Sequence, residues 1–211
     1  PEGFKPIKIQ AGGELPRFIT NGYADHVKSG SEVIDPAKVF VGDEDDFSMA
    51  LYEGEAMMTI GGIQKVSVTK GEEVKQYLSL QAALDEAPDG STVTLLEDVD
   101  LGNYPIVIST NEGERTLTFD LHGFSLTGTS QPLDVRSGIN ITIKGGTIGG
   151  PDAENPCGTA IRNEGGKVNL ENLTISNCEY GIYNDCDWLD EETSIPGELT
   201  IGSGVNISAT E

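Results

Sequence analysis

From Ser91 to Ala209 the chain repeats one pattern five times: short strands with apolar residues at alternate positions, broken by Gly, Asn or Asp. The first strands of the five units are Thr92-Val-Thr-Leu-Leu, Thr116-Leu-Thr-Phe-Asp, Asn140-Ile-Thr-Ile-Lys, Lys167-Val-Asn-Leu-Glu and Glu198-Leu-Thr-Ile-Gly. Their starts lie 24, 24, 27 and 31 residues apart. A period of this size, with several strands per unit and no helix between them, is the signature of a solenoid. It constrains the fold more tightly than the function. A chain built this way is usually a rigid surface that something else binds.

The repeat also has an inside. In the first strand the inward pairs read Val93/Leu95, Leu117/Phe119, Ile141/Ile143, Val168/Leu170 and Leu199/Ile201. A second strand supplies Val99/Leu101, Phe124/Leu126, Ile148, Leu173/Ile175 and Val205/Ile207; a third supplies Ile106/Ile108, Leu133/Val135, Ile161 and Ile182. Alternate residues of a strand share a face, so these positions converge on one interior. The corners His122-Gly, Gly145-Gly, Glu171-Asn and Ser203-Gly carry the residues that tight turns require. Three strands per turn around a filled core describe a parallel β-helix. A single coil cannot bury its apolar face, and stacking supplies the core. A sandwich is the competing all-β reading, but it does not require units that match this well.

Upstream of the repeat, Ser79-Leu-Gln-Ala-Ala-Leu-Asp-Glu-Ala reads as a helix, with Ser79 able to cap its start and Leu80, Ala83, Leu84 and Ala87 on one face. Such a helix can cover the apolar end of the first coil, whose strands would otherwise offer unpaired edges. Residues 41–77 read as a small β region. The acidic run Asp43-Glu-Asp-Asp within it reads as a solvated loop. Residues 1–40 are punctuated by prolines and glycines, sustain no hydrophobic period, and read as an extended arm that lies on another surface. The β-helix is expected to occupy residues 78–211.

Composition narrows the partners. The formal charge of −22 should repel nucleic acid and anionic membranes, so neither is expected as a partner. No apolar run reaches the roughly 18 residues of a membrane span. The start Pro1-Glu-Gly-Phe-Lys-Pro lacks the blocks of a secretory signal, which favours cytoplasmic synthesis. Cys157, Cys178 and Cys186 have no regular spacing and read as reduced thiols, with a Cys178–Cys186 bridge as the alternative. With only His26 and His122 beside them, no metal cluster is expected, and no cofactor.

The stretch from Ser79 through Val99, Ser-Leu-Gln-Ala-Ala-Leu-Asp-Glu-Ala-Pro-Asp-Gly-Ser-Thr-Val-Thr-Leu-Leu-Glu-Asp-Val, resembles the entry into a right-handed β-helix of the pectin-lyase-like superfamily. The coil Gly158 to Asn184 is similar to coils of that superfamily. The resemblance covers residues 78–211 and implies an all-β fold: a right-handed parallel β-helix of about five coils with a short N-terminal capping helix. It also implies a choice among carbohydrate-active enzymes, bacterial surface proteins, and phage tailspikes, fibres and head-attached proteins. Fold alone does not choose among these.

Outward positions carry the candidate chemistry. On the third strand Ser109, Arg136, Arg162 and Tyr183 are expected to stack in one column, with Asp134 beside it. The two arginines are offset by carboxylates or bind an anionic or sugar ligand, and Tyr183 can stack on a sugar ring. Together with Trp188 these residues are the candidate binding surface. Glycoside hydrolysis needs two carboxylates roughly 5–10 Å apart. The loop Asn184-Asp-Cys-Asp-Trp-Leu-Asp offers Asp185 and Asp187 for that role, and Asp185, Asp187 and Asp190 as oxygen ligands for a cation. A near ladder of Thr94, Thr118, Thr142 and Thr200 reflects strand propensity.

The reading that follows is a non-enzymatic structural protein of a phage particle. Residues 1–77 would contact capsid or tail proteins, and the β-helix would project outward as a homotrimer, with host polysaccharide as a further partner. The last coil stops after two strands at Ser208-Ala-Thr-Glu, so a partner, a sister subunit or further chain is expected to cover it. A bacterial cell-surface adhesin and a polysaccharide lyase or hydrolase are the alternatives.

Overall fold

A computed structural model describes residues 5–10, 15–42, 47–60, 62–111, 113–188 and 193–210. The chain forms two compact units, Pro1–Ile63 and Gln64–Glu211. This boundary differs from the expected one at residues 77 and 78. The cause is pairing: the strands after residue 64 join the solenoid sheet and not the strands before them.

The first unit is built from very short elements. Strand β1 (Ile7–Ile9) runs parallel to β5 (Phe40–Gly42), and β2 (Arg17–Phe18) joins β7 (Glu55–Thr59) and β6 (Ser48–Tyr52) in an antiparallel sheet. Between them lie helix α1 (Tyr23–His26), the hairpin β3 (Lys28–Ser29) and β4 (Glu32–Val33), and helix α2 (Pro36–Val39), capped by Asp35. Tyr23 and Phe40 are buried with Met49, Ala56 and Met58 in one core. Residues 15–42 therefore do more than form an extended arm, because they contribute aromatic residues to that core. Tyr23 is anchored by its hydroxyl, which donates to the Ile34 carbonyl at 2.8 Å. Two buried aromatics 17 positions apart leave no period in the sequence, so this core was not legible there. The run 43–46 lies outside the described residues.

The second unit is a parallel β-solenoid of about 4 turns. Its first coil contains β10 (Ser91–Leu95), β11 (Val99–Asp100) and β12 (Ile106–Ile108); its second contains β13 (Arg115–Asp120), β14 (Ser125–Thr127) and β15 (Leu133–Arg136). The third is made by β16 (Ile139–Gly149), which bends across two faces, and β17 (Cys157–Glu164). The fourth is one continuous strand, β18 (Lys167–Trp188), which returns through β19 (Ser194–Pro196). Among the described residues a fifth coil contributes β20 (Glu198–Ile201) and β21 (Asn206–Ala209).

Inward residues stack in columns. Val93, Phe119, Ile143, Leu170 and Ile201 form one; Val99, Leu126, Ile148, Ile175 and Ile207 a second; Ile106, Leu133, Ile161 and Ile182 a third. Each fully buried Leu or Ile contributes about 1.5–3 kcal/mol of burial free energy. The coils approach so closely that a Cβ on Gly149 would overlap the Ser176 carbonyl oxygen.

The register of the first coil departs from the sequence alignment. Thr92 pairs with Thr118 and Val93 with Phe119, two residues on from the expected match. The outward Thr94 consequently stands beside Asp120, and the threonine column runs Thr69, Thr92, Thr118, Thr142, Asn169, Thr200.

The N-terminal end of the solenoid is closed by two devices. Strands β8 (Val66–Lys70) and β9 (Glu73–Tyr77) form a hairpin whose first strand pairs antiparallel with β10. Helix α3 (Leu80–Glu86) buries Leu80, Ala83 and Leu84 in the core, and its start is capped by the Ser79 hydroxyl, which accepts from the Ala82 N–H. Gln81 of this helix acts as a missing neighbour for β12. Its Nε2 donates to the Val107 carbonyl at 2.7 Å, and its Oε1 accepts from the Val107 N–H at 2.9 Å.

Candidate functional site

The third face of the solenoid is formed by β12, β15, β17 and the end of β18. Its inward residues are fixed by the core, so the alternate residues must face outward. Those outward residues form two columns and not the single expected one. Val107, Asp134, Arg162 and Tyr183 make the first; Arg136, Glu164 and Asp185 make the second. Arg136 and Arg162 thus sit on a diagonal. Their expected stacking is corrected by the register, which pairs Val135 with Asn163.

The diagonal produces a charge checkerboard. Glu164 binds both guanidinium groups, with Oε2 accepting from Arg136 and Oε1 pairing with Arg162. The second guanidinium nitrogen of Arg136 donates to Oδ2 of Asp134. Each arginine therefore faces a carboxylate across the strands or along its own. Such charge-assisted bonds are stronger than neutral ones, and both carboxylates are more buried than the arginines. The remaining oxygen of Asp134, Oδ1, is buried with no hydrogen-bond partner. Tyr183 lies next to Arg162 with its side chain half exposed, and Trp188 is 65% exposed at the end of β18.

The acidic candidates are separated by their partners. Asp185 accepts from the N–H of Cys186 at 2.8 Å and stands in register with Glu164. Asp187 accepts from the Ser137 hydroxyl at 2.5 Å, which ties the end of β18 to the turn after β15. Asp190 lies outside the described residues. Among the described residues no three His, Cys, Asp or Glu side chains group as cation ligands.

Asn163, absent from the sequence reading, organises the corner beneath this face. It is fully buried; its Nδ2 donates to the Gly166 carbonyl, to Asn184 Oδ1 and to the Glu198 carbonyl, and its Oδ1 accepts from the Gly166 N–H. A signal existed: Asn163 occupies an inward position two residues after Ile161, where a polar side chain must be satisfied internally. Glu164 was missed because its role depends on which residue of the next coil it meets.

Cys157 and Cys178 are in register on β17 and β18, both buried, and all three cysteines are free. Burial, followed by the charge of the other thiol, pushes Cys157 up to about 11. Burial also raises Cys178. Neither thiol is exposed enough to act as a nucleophile, and Cys178 does not bridge to Cys186.

A groove of about 710 Å³ lies at the other end of the solenoid, between the end of α3 and the loop after β12. Arg115 lines it, its guanidinium donating to the carbonyls of Asp85 and Ser109, and Asp89 and Glu114 flank it. None of the sequence-predicted site residues reaches this groove.

The chain matches no family model, no curated protein and no solved structure.

Proposed function

We propose that this protein is a non-enzymatic structural and attachment protein, in which the first unit fastens the chain and the β-helix carries an outward face. The setting to which the superfamily resemblance points is a phage particle. There capsid or tail proteins would contact residues 1–77, trimerisation would multiply the outward faces, and host glycan would be the ligand of the third face. The observation that supports this reading best is the closed charge network of Asp134, Arg136, Arg162 and Glu164. Mutual pairing occupies both guanidinium groups that an anion-binding reading would use and holds them on the sheet. Tyr183 and Trp188 remain available for contact.

The test is a glycan panel assayed both for retention on the immobilised protein and for cleavage. Binding without release of new reducing or unsaturated ends, weakened by Tyr183→Ala, is the expected result. Turnover that disappears in Asp185→Ala or Asp187→Ala would establish an enzyme instead. Antibody labelling of phage particles examines the setting separately; labelled particles are expected, and unlabelled ones would remove it.

A further inference from the structure

The hairpin that closes the N-terminal end of the solenoid leaves an edge of its own. Strand β8 is paired on both sides, with β10 and with β9, whereas β9 pairs with β8 alone among the described residues. Glu73, Val74, Lys75 and Gln76 are all exposed, Val74 at 61%. The direction of the free backbone groups follows from the turn. Lys70 and Glu73 flank the loop Gly71-Glu72, and Gly71 has a φ of +61°, so they form the bonded pair that closes a two-residue hairpin. Bonded and non-bonded pairs alternate along an antiparallel ladder. Glu73, Lys75 and Tyr77 therefore direct their backbone groups at β8, and the N–H and C=O of Val74 and Gln76 point away from it. Unpaired groups of this kind are what strand addition uses.

Charge selects the occupant and its register. Glu73 and Lys75 lie two residues apart and share one face of β9. In an antiparallel pair of two copies centred on Val74, Glu73 lies opposite the partner's Lys75 and Lys75 opposite the partner's Glu73. Val74 meets the partner's Val74 on the other face. Centring on Lys75 would oppose two ammonium groups, and centring on Gln76 would leave Glu73 unmatched. The strand is thus self-complementary in one register, as a two-fold contact between identical chains requires. Lys75 already pairs with Glu86 at 2.5 Å, but both side chains are exposed, and an ammonium has three donors.

We propose that β9 is a self-association edge, on which a second copy adds its own β9 antiparallel with Val74 on the two-fold axis. The contact joins the end sheets of two solenoids into one. It goes beyond the attachment reading, because it uses neither the third face nor a glycan. The net charge of −22 opposes the contact at low ionic strength. At about 0.15 M salt the screening length is about 8 Å, which damps distant charges more than the two contact pairs. So short a strand pair buries little area, so the dimer is weak and depends on concentration.

The test is sedimentation equilibrium and amide hydrogen exchange of the 211-residue protein at about 0.15 M salt, from micromolar to millimolar concentration. The expected result is a monomer–dimer equilibrium. Exchange at Val74 and Gln76 should slow as concentration rises, while Lys75 and Tyr77, already bonded to β8, stay unchanged. Glu73→Lys and Lys75→Glu should each weaken association at least about tenfold, because each sets like charges opposite across the axis. An equimolar mixture of the two variants restores both opposite-charge pairs and should associate as the unaltered protein does. The mixture keeps whatever each change costs in folding, so its recovery reports the contact between copies. A monomer at every concentration would overturn the proposal and make Lys75 a charge that blocks the edge. So would variants with unaltered association, a mixture that fails to recover, or association without protection of Val74 and Gln76. A trimer indifferent to both changes would also overturn it, and would leave the attachment reading intact.

Discussion

At the scale of single residues, Glu164 holds the third face together. It engages two guanidinium groups, and its side chain is 13% exposed against 39% and 37% for Arg136 and Arg162. Glu164→Gln would leave Arg162 without its counter-ion and Arg136 with Asp134 alone. The expected cost is about 2 kcal/mol, between the value of a surface ion pair and that of a buried charged hydrogen bond. It is checked by the urea midpoint, and a double-mutant cycle with Arg136→Met should recover part of the loss. Cys157 supplies a pH signature. Its folded-state value of about 11 lies above that of an unfolded thiol, so the folded protein keeps a proton that the unfolded chain has lost. Stability from this source is whole below about pH 8.5 and is lost as pH rises toward 11. In Cys157→Ala the alkaline fall of the urea midpoint should be shallower over that window. An unchanged slope would assign the fall to other groups.

At the scale of elements, closure of the N-terminal end is shared between a helix and a hairpin. The sequence marks α3 clearly, through Ser79 and the spacing of Leu80, Ala83 and Leu84. It does not mark the pairing of Val66–Lys70 with the first coil, because an alternating strand carries no label for its neighbour. Gln81 shows how a helix can satisfy a sheet edge, with its amide making both bonds that a neighbouring strand would make to Val107. Gln81→Leu removes both and strands a backbone donor and acceptor. The expected loss is about 1–3 kcal/mol. The amide of Val107 should exchange faster than those of Leu133 and Val135. Uniform acceleration across the three would mean that the helix as a whole had detached.

At the scale of the whole molecule, the division at Ile63 predicts two folding units. Gln64–Glu211 contains the complete cluster from Val66 to Cys178 with its own N-terminal closure, so the fragment should fold alone. Its far-ultraviolet dichroism and urea midpoint should match the corresponding transition of the full chain. A fragment cut at residue 78 should be less stable, since it exposes the edge of β10; equal stability would show that the hairpin contributes nothing.

The sequence by itself determined which side of every solenoid strand faces inward, where the corners fall, and where the capping helix starts. Alternation at a period of two encodes these directly. It did not determine what stands beside what, because a slip of two residues leaves every apolar side chain inside. Thr92 against Thr118 and Arg136 against Glu164 follow from the lengths of the corners, and only the stacked coils settle those. Facing is therefore legible one strand at a time, whereas the charge checkerboard and the buried Asn163 emerge from contacts between coils, which the tertiary structure decided.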